Sequence, residues 1–165
     1  GKKLEVLYAA YFQVQQALAS DRKPPATDAQ GLYHAATELK ADATLPESAT
    51  KLLATIAAGS EHLHHLDLAG ARKEFKPISH AVVTLATQVR SEGAQGPFTH
   101  FYCPMVPGGG GDWLQASDQL LNPYFGSEML RCGEKVQVFP PRGKPAIKAT
   151  PGNQSPAAQP TKSKA

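Results

Sequence analysis

The sequence lacks the features that would place it in several common classes of protein. No run of apolar residues approaches the roughly 18 that a membrane-spanning helix needs, so we expect no membrane span. The chain has only 2 cysteines in 165 residues, too few for a disulfide scaffold. The glycine patterns of Rossmann and P-loop sites are missing, as are serine–histidine–acid, paired-carboxylate and nucleophile-elbow signatures. We therefore expect a binding protein and not an enzyme.

An export signal is also missing from the start of the sequence. The chain opens on Gly1-Lys2-Lys3 directly before a helical pattern, without a charged region, an apolar region and a cleavage site. Either a signal has been removed or the chain is a piece of a longer protein, and the abrupt start favours the second interpretation.

Basic residues are concentrated at the C-terminal end. The net charge is +3, but residues 140–165 hold five basic residues and no acidic one, which leaves 12 basic and 14 acidic residues in 1–139. Residues 1–139 therefore have no basic surplus that would neutralise phosphates, and nucleic acid is not an expected partner.

Four segments have apolar residues at the three- and four-residue spacing of amphipathic helices. We expect helices over about 4–20, 27–42, 46–57 and 67–89, with Pro77 kinking the last or marking its start. Short connections between such segments predict an up-down four-helix bundle over residues 4–91.

The pattern changes after residue 90. Phe98–Cys103 and Lys135–Phe139 are β-prone and are expected to pair as a small ribbon against the bundle, while Gly108–Gly111 reads as a flexible loop. From residue 140 onward the composition cannot bury enough apolar surface to fold. The predicted fold class is mainly α. A single domain, 1–139, comprises the bundle and a C-terminal metal-binding extension of short strands and loops over 98–139, and a disordered tail follows over 140–165.

The 2 cysteines and 2 methionines occur as two neighbouring pairs. Cys103 and Met105 are two residues apart, a spacing that shares one side of an extended segment. Met129 and Cys132 are three apart, a spacing that shares one face of a helical turn. If the two β-prone segments pair, both sulfur pairs reach the same end of the ribbon. Thiolates and thioethers suit Cu(I), and Ag(I) for the same reason, whereas Zn(II) more commonly takes histidine or further cysteines.

Other interpretations of these residues remain open. Methionines commonly fill gaps in cores, and a Cys103–Cys132 disulfide would make this a structural or interaction domain. A small redox protein is a further alternative, although the chain lacks a Cys-x-x-Cys motif. His100 is a possible extra ligand. Trp113 has the chemistry to stack over a cation, or to pack the glycine loop on the bundle. A solvated helix end accounts for the remaining histidine cluster, which contains His62, His64 and His65.

Four stretches are distinctive in combination: Tyr102-Cys103-Pro104-Met105, Gly111-Asp112-Trp113-Leu114-Gln115, Asn122-Pro123-Tyr124-Phe125-Gly126 and Met129-Leu130-Arg131-Cys132-Gly133. They resemble the uncharacterised metal-binding domain at the C-terminus of CusB-type periplasmic heavy-metal efflux adaptor proteins, which is also found alone in exported bacterial proteins. Two helical stretches, 11–21 and 71–79, are similar to that family as well. The resemblance covers roughly residues 4–139 and is most specific in 102–133.

This resemblance implies a periplasmic domain of an efflux system that links an inner-membrane pump to an outer-membrane channel. The sulfur-containing motifs of that family match Cys103, Met105, Met129 and Cys132. This match implies Cu(I) or Ag(I) as cargo, and a pump, adaptor or metallochaperone as partner. The Cys-Pro-Met step is also similar to short metal-binding segments of copper pumps. A His-Pro commonly follows there, whereas Val106-Pro107 follows here, so no histidine comes directly after Met105.

Overall fold

The computed structural model describes residues 2–89, 97–140 and 147–148. Its helices are α1 (Lys2–Ala19), α2 (Ala26–Lys40), α3 (Glu47–Ser60) and α4 (Leu68–Gln88). Its strands are β1 (Phe98–Cys103), β2 (Gly111–Gln115), β3 (Glu134–Phe139) and β4 (Ile147–Lys148). Among the helices of these residues, none combines the length and apolarity that crossing a bilayer requires.

The four helices form where the apolar spacing predicts them. In each, the apolar stripe is buried, as with Leu7, Tyr11 and Leu18 of α1. Asp67 caps α4, since its carboxylate accepts a hydrogen bond of 2.8 Å from the N–H of Gly70. Pro77 lies inside α4 and does not mark its start.

The helices do not close into the expected bundle. They pack in a row, α1 on α2, α2 on α3 and α3 on α4, whereas α1 and α4 approach each other at few positions, and β2 lies against both. The prediction of a mainly α, up-down four-helix bundle with a C-terminal extension is therefore wrong, because the helices and the sheet form one mixed arrangement. An amphipathic stripe shows that a helix face is buried, but not whether a helix or a strand covers it.

The sheet is antiparallel, with strand order β2-β1-β3-β4. The predicted pairing of β1 with β3 is present, with Phe98 opposite Phe139. The sequence analysis missed β2, which pairs with β1 so that Cys103 is opposite Gly111. Strand β4 falls inside the segment expected to be a disordered tail. The rest of that tail, 141–146 and 149–165, and residues 90–96 lie outside the described residues.

The outer edge of β2 is hydrogen-bonded to helix side chains. The N–H of Leu114 donates to the Tyr11 hydroxyl at 3.0 Å, and the Ser79 hydroxyl donates to the Asp112 carbonyl at 2.7 Å. Because the serine hydrogen is already used, the Tyr11 hydroxyl donates to Ser79 Oγ at 2.6 Å. Burial raises the pKa of Tyr11 well above its usual value, so the hydroxyl stays protonated. Helices α1 and α4 thus close an edge that would otherwise be open to another strand.

Candidate functional site

The two cysteines meet where β1 ends and β3 begins. Cys103 is the last residue of β1 and is fully buried, while Cys132 is half-buried in the loop before β3. Both are free thiols, and their Sγ atoms lie 3.0 Å apart although 29 positions separate them in the sequence. The pairing of β1 with β3 therefore produces a two-thiol site.

The two thiols influence each other's proton equilibria. The hydrogen bond with Cys103 raises the pKa of Cys132 to about 11, and burial and the charge of a Cys103 thiolate act in the same direction. A metal ion that binds both sulfurs at neutral pH must therefore displace protons.

The methionines lie beside the cysteines in the chain but differ in exposure. Met105 is 60% exposed in the loop between β1 and β2. Met129 is half-buried, and its carbonyl accepts a 3.0 Å hydrogen bond from the N–H of Cys132. Met129 and Cys132 therefore occupy the two ends of one tight turn.

The glycine loop between β1 and β2 is fastened to α4. The ammonium group of Lys76 donates to the carbonyls of Pro107 at 2.7 Å and Gly108 at 2.9 Å. The Tyr102 hydroxyl donates to the carbonyl of Gly109 at 3.0 Å. These hydrogen bonds hold the segment that follows Cys103, which includes the loop predicted to be flexible, against the helices.

Asn122 organises the loop that carries Cys132. Its side chain is fully buried, and its amide donates to the carbonyl of Cys132 at 2.8 Å. Its oxygen accepts from the N–H groups of Tyr124 at 2.8 Å and Phe125 at 3.1 Å. The backbone position of Cys132 is therefore set by a buried side chain and not by the thiol contact alone.

Arg72 of α4 attaches the same loop to the helices. Its guanidinium donates to the carbonyls of Pro123 at 2.9 Å and Leu18 at 2.6 Å, and to the Asp21 carboxylate at 2.9 Å. Asp21 also accepts from the N–H of Ser127 at 3.3 Å. The hydrogen bonds from Ser127 and Arg72 lower the pKa of Asp21 below its usual value. Sequence reasoning did not assign these roles, although Arg72 and Asp21 fall in stretches that carry the family resemblance.

Trp113 is a packing residue in this structure. Its ring is fully buried and stacks on Phe101 with centroids 5.6 Å apart, and its N–H donates to Gln115 at 2.8 Å. Gly133 lies against the same ring, since a Cβ there would come within 3.1 Å of it. These contacts place the ring against β1 and Gly133, and the two roles expected for Trp113, stacking over a cation and packing the glycine loop on the bundle, stay predictions.

His100 is directed away from the thiols. It lies three residues before Cys103 on β1, and residues three apart in a strand point to opposite faces. Its Nε2 is 3.1 Å from the Asp112 carboxylate, and Nδ1 of His80 is 3.3 Å from the same group. Burial raises the pKa of Asp112, but the hydrogen bonds and charges of the two histidines outweigh it, so the pKa is lowered.

The other histidine cluster is in the connection between α3 and α4. His64 and His65 lie in a 3-10 turn, where a solvated helix end was expected. The ring centroids of His64 and His65 are 4.0 Å apart, and those of His62 and His65 are 5.6 Å apart. Burial, followed by the charges of the other two histidines, lowers the pKa of His64.

Within the described residues, no group of three or more histidine, cysteine, aspartate or glutamate side chains is arranged to hold a metal ion. A metal ion bound by Cys103 and Cys132 would therefore have no third cysteine, histidine or carboxylate ligand among these residues.

Comparisons with known proteins return no relative. No family model matches the chain, and it matches neither a curated protein sequence nor a solved structure.

Proposed function

We propose that this chain binds one Cu(I) or Ag(I) ion between Cys103 and Cys132, with thioether ligation from Met105 and Met129. The observation that supports this proposal is the 3.0 Å contact between the only two thiols of the chain. Thiolates and thioethers prefer soft ions such as Cu(I) over Mg, Ca or Mn. Each thiol also has a methionine two or three residues away.

The thiol pair fits a metal ion after a small adjustment. Two sulfurs that each lie about 2.3 Å from one ion are about 3.8 Å apart in a tetrahedral site and about 4.6 Å apart in a linear one. The observed 3.0 Å is shorter, so the sulfurs must separate by about 1 Å or more, which side-chain rotation can supply. Cys132 is on a loop and Cys103 is in a strand, so we expect Cys132 to move.

The donor set favours a univalent soft ion over Zn(II). Structural zinc sites usually take four cysteine or histidine ligands. The described residues hold no third such ligand beside the two thiols, and His100 contacts Asp112 instead. Cu(I) and Ag(I) accept two thiolates with one or two thioethers.

We further propose that the domain captures or hands over this ion as an accessory part of a periplasmic heavy-metal efflux system. The resemblance of residues 102–133 to the C-terminal domain of CusB-type adaptor proteins supports that role. The exposure of Met105 also supports it, because an exposed methionine two residues after a buried thiol gives a pump, adaptor or metallochaperone a place to exchange the ion. A structural domain with a Cys103–Cys132 disulfide is the alternative, and the thiol contact favours it as well.

A Cu(I) titration under reducing conditions, against a competing chromophoric chelator, tests the proposal. We expect one ion per chain and loss of binding after alkylation of Cys132, the thiol that a reagent can reach. Free-thiol counting on protein purified without reductant tests the alternative, since a structural disulfide would leave no free thiol. Copper binding that survives alkylation would contradict the proposed site.

A further inference from the structure

We propose that Cys103 and Cys132 are also a redox-active pair that exchanges with small disulfides, so that a metal ion and a disulfide bond compete for the same two sulfur atoms. The exchange stands on the geometry of the thiols alone. The competition rests on the proposed metal site.

The distance between the sulfurs allows both outcomes. A disulfide bond is about 2.05 Å long, and two sulfurs on one metal ion lie about 3.8 to 4.6 Å apart. The observed separation of 3.0 Å lies between these values. The metal-free pair is therefore about 1 Å from bond formation and about as far from the nearest metal-bound arrangement.

The two cysteines differ in their access to solvent. Cys103 is fully buried at the end of β1, while Cys132 is half-buried in its loop. A reagent from solution can therefore reach Cys132 but not Cys103. This difference assigns Cys132 as the thiol that reacts with the external disulfide and Cys103 as the thiol that resolves the intermediate.

The exchange takes place in two steps. Cys132 first gives up its proton to solvent, and the resulting thiolate attacks one sulfur of a small disulfide, which forms a mixed disulfide and releases one thiolate. The Cys103 thiolate then attacks the Cys132 sulfur, which forms the protein disulfide and releases the second thiolate. The protein loses two electrons and two protons, and the reagent gains both to become two thiols.

The loop does not depend on the disulfide for its position. The Asn122 amide holds the carbonyl of Cys132 at 2.8 Å, and the Tyr124 hydroxyl donates to the carbonyl of Asp112 at 2.6 Å. Arg72 holds the carbonyl of Pro123 at 2.9 Å. These hydrogen bonds are present when both thiols are free. Breaking the Cys103–Cys132 disulfide therefore changes only the sulfur atoms and leaves the fold in place.

The test exposes the full, metal-free chain to an excess of bis(2-hydroxyethyl) disulfide, followed by maleimide trapping in denaturant, where both cysteines are accessible, and intact-mass measurement. We expect both thiols to be lost together, without a lasting adduct, and to return on addition of 2-mercaptoethanol. The far-UV circular dichroism spectrum should not change in either direction. Free thiols that persist, a stable mixed disulfide, covalent dimers, or unfolding on reduction would each overturn the exchange.

Single-cysteine variants test the assigned roles. We expect Cys103→Ser to accumulate the mixed disulfide at Cys132, because its resolving thiol is gone. Cys132→Ser should react at least about tenfold more slowly, because Cys103 is buried. Lys51→Ala, an exposed change on α3 that keeps both thiols, should react like the parent. Equal adduct formation in the two cysteine variants would contradict the assignment.

A second arm adds one equivalent of Ag(I) before the reagent. We expect thiol loss to slow by at least about tenfold, since the bound ion occupies both sulfurs. If silver binds without slowing thiol loss, the competition is wrong and the ion lies elsewhere. If silver does not bind while exchange still occurs, the redox pair stands and the proposed metal function fails.

Discussion

The hydroxyl groups of Tyr11 and Ser79 are 2.6 Å apart and connect α1 to α4 at the edge of β2. Tyr11 accepts from the N–H of Leu114, and Ser79 donates to the carbonyl of Asp112. Two helix side chains therefore replace the neighbouring strand that β2 lacks on this side. The sheet that carries Cys103 is in this way part of the same core as the helices.

Removing the Tyr11 hydroxyl should destabilise the whole domain. Tyr11→Phe leaves the Leu114 N–H and the Ser79 hydroxyl oxygen buried without their partner, at a cost of about 1–3 kcal/mol in the free energy of unfolding. Urea denaturation followed by circular dichroism measures this cost. Tyr33→Phe on α2 is a matched control, because its hydroxyl has no hydrogen bond to the described residues, and it should change stability by no more than about 0.5 kcal/mol. Equal effects of the two changes would contradict the account of the β2 edge.

Arg72 should hold the loop of Cys132 more than it stabilises the helices. Arg72→Met keeps most of the apolar stem but removes the hydrogen bonds to Pro123, Leu18 and Asp21. We expect faster hydrogen exchange in residues 122–132 and a loss of stability on the order of 2 kcal/mol. Hydrogen-exchange mass spectrometry is the measurement, and Lys73→Met, one residue along α4 and exposed, is the control. Unchanged exchange in this loop would show that Arg72 does not fasten it.

Metal affinity should rise with pH. Since the pKa of Cys132 is raised to about 11, this thiol is protonated at neutral pH in the metal-free protein, and metal binding must release its proton. Apparent affinity should therefore increase by about tenfold per pH unit for each proton displaced. Titrations at several pH values, corrected for the chelator, measure the slope, which should be smaller in Cys103→Ser. A flat pH profile would contradict thiolate ligation.

Asp112 should contribute to stability above acid pH. The pKa of its carboxyl is lowered from 3.8 in the folded state, where burial opposes the shift and the contacts with His100 and His80 produce it. A carboxyl whose pKa is lower in the folded protein stabilises the fold at pH values above its pKa in the unfolded chain. That contribution is lost as the pH falls through the pKa of the folded state. The free energy of unfolding should therefore fall more steeply below pH 4 in the parent than in Asp112→Asn. Parallel curves for the two proteins would contradict this role.

The sequence was sufficient to predict the elements whose signals are local. Apolar spacing predicted the helices, and β-prone composition predicted the pairing of β1 with β3 that brings Cys103 to Cys132. It was not sufficient for β2, because five residues after a glycine loop carry little pattern and are buried by distant helices. His100 was a candidate ligand because it is close to Cys103 in the sequence. Strand alternation places it on the opposite face of β1 from Cys103.

The side chains that hold the site in place were not predictable from the sequence. Arg72 and Asn122 act on backbone carbonyls, and Arg72 reaches residues 51 and 54 positions away in the chain. A single sequence has no periodicity or motif that reports such contacts. The sulfur residues could be selected because their chemistry is visible in their identity, whereas these supporting residues act only through the tertiary fold.

The most direct measurement of the central claim is the order of Cu(I) affinities across variants at neutral pH under reducing conditions. We expect Cys103→Ser and Cys132→Ser each to lower the affinity by about 100-fold or more, and Met105→Leu and Met129→Leu by about tenfold or less. Substitution of His62, His64 or His65 should leave the affinity unchanged. If the cysteine variants bind Cu(I) as tightly as the parent while a histidine variant does not, the sulfur site is refuted.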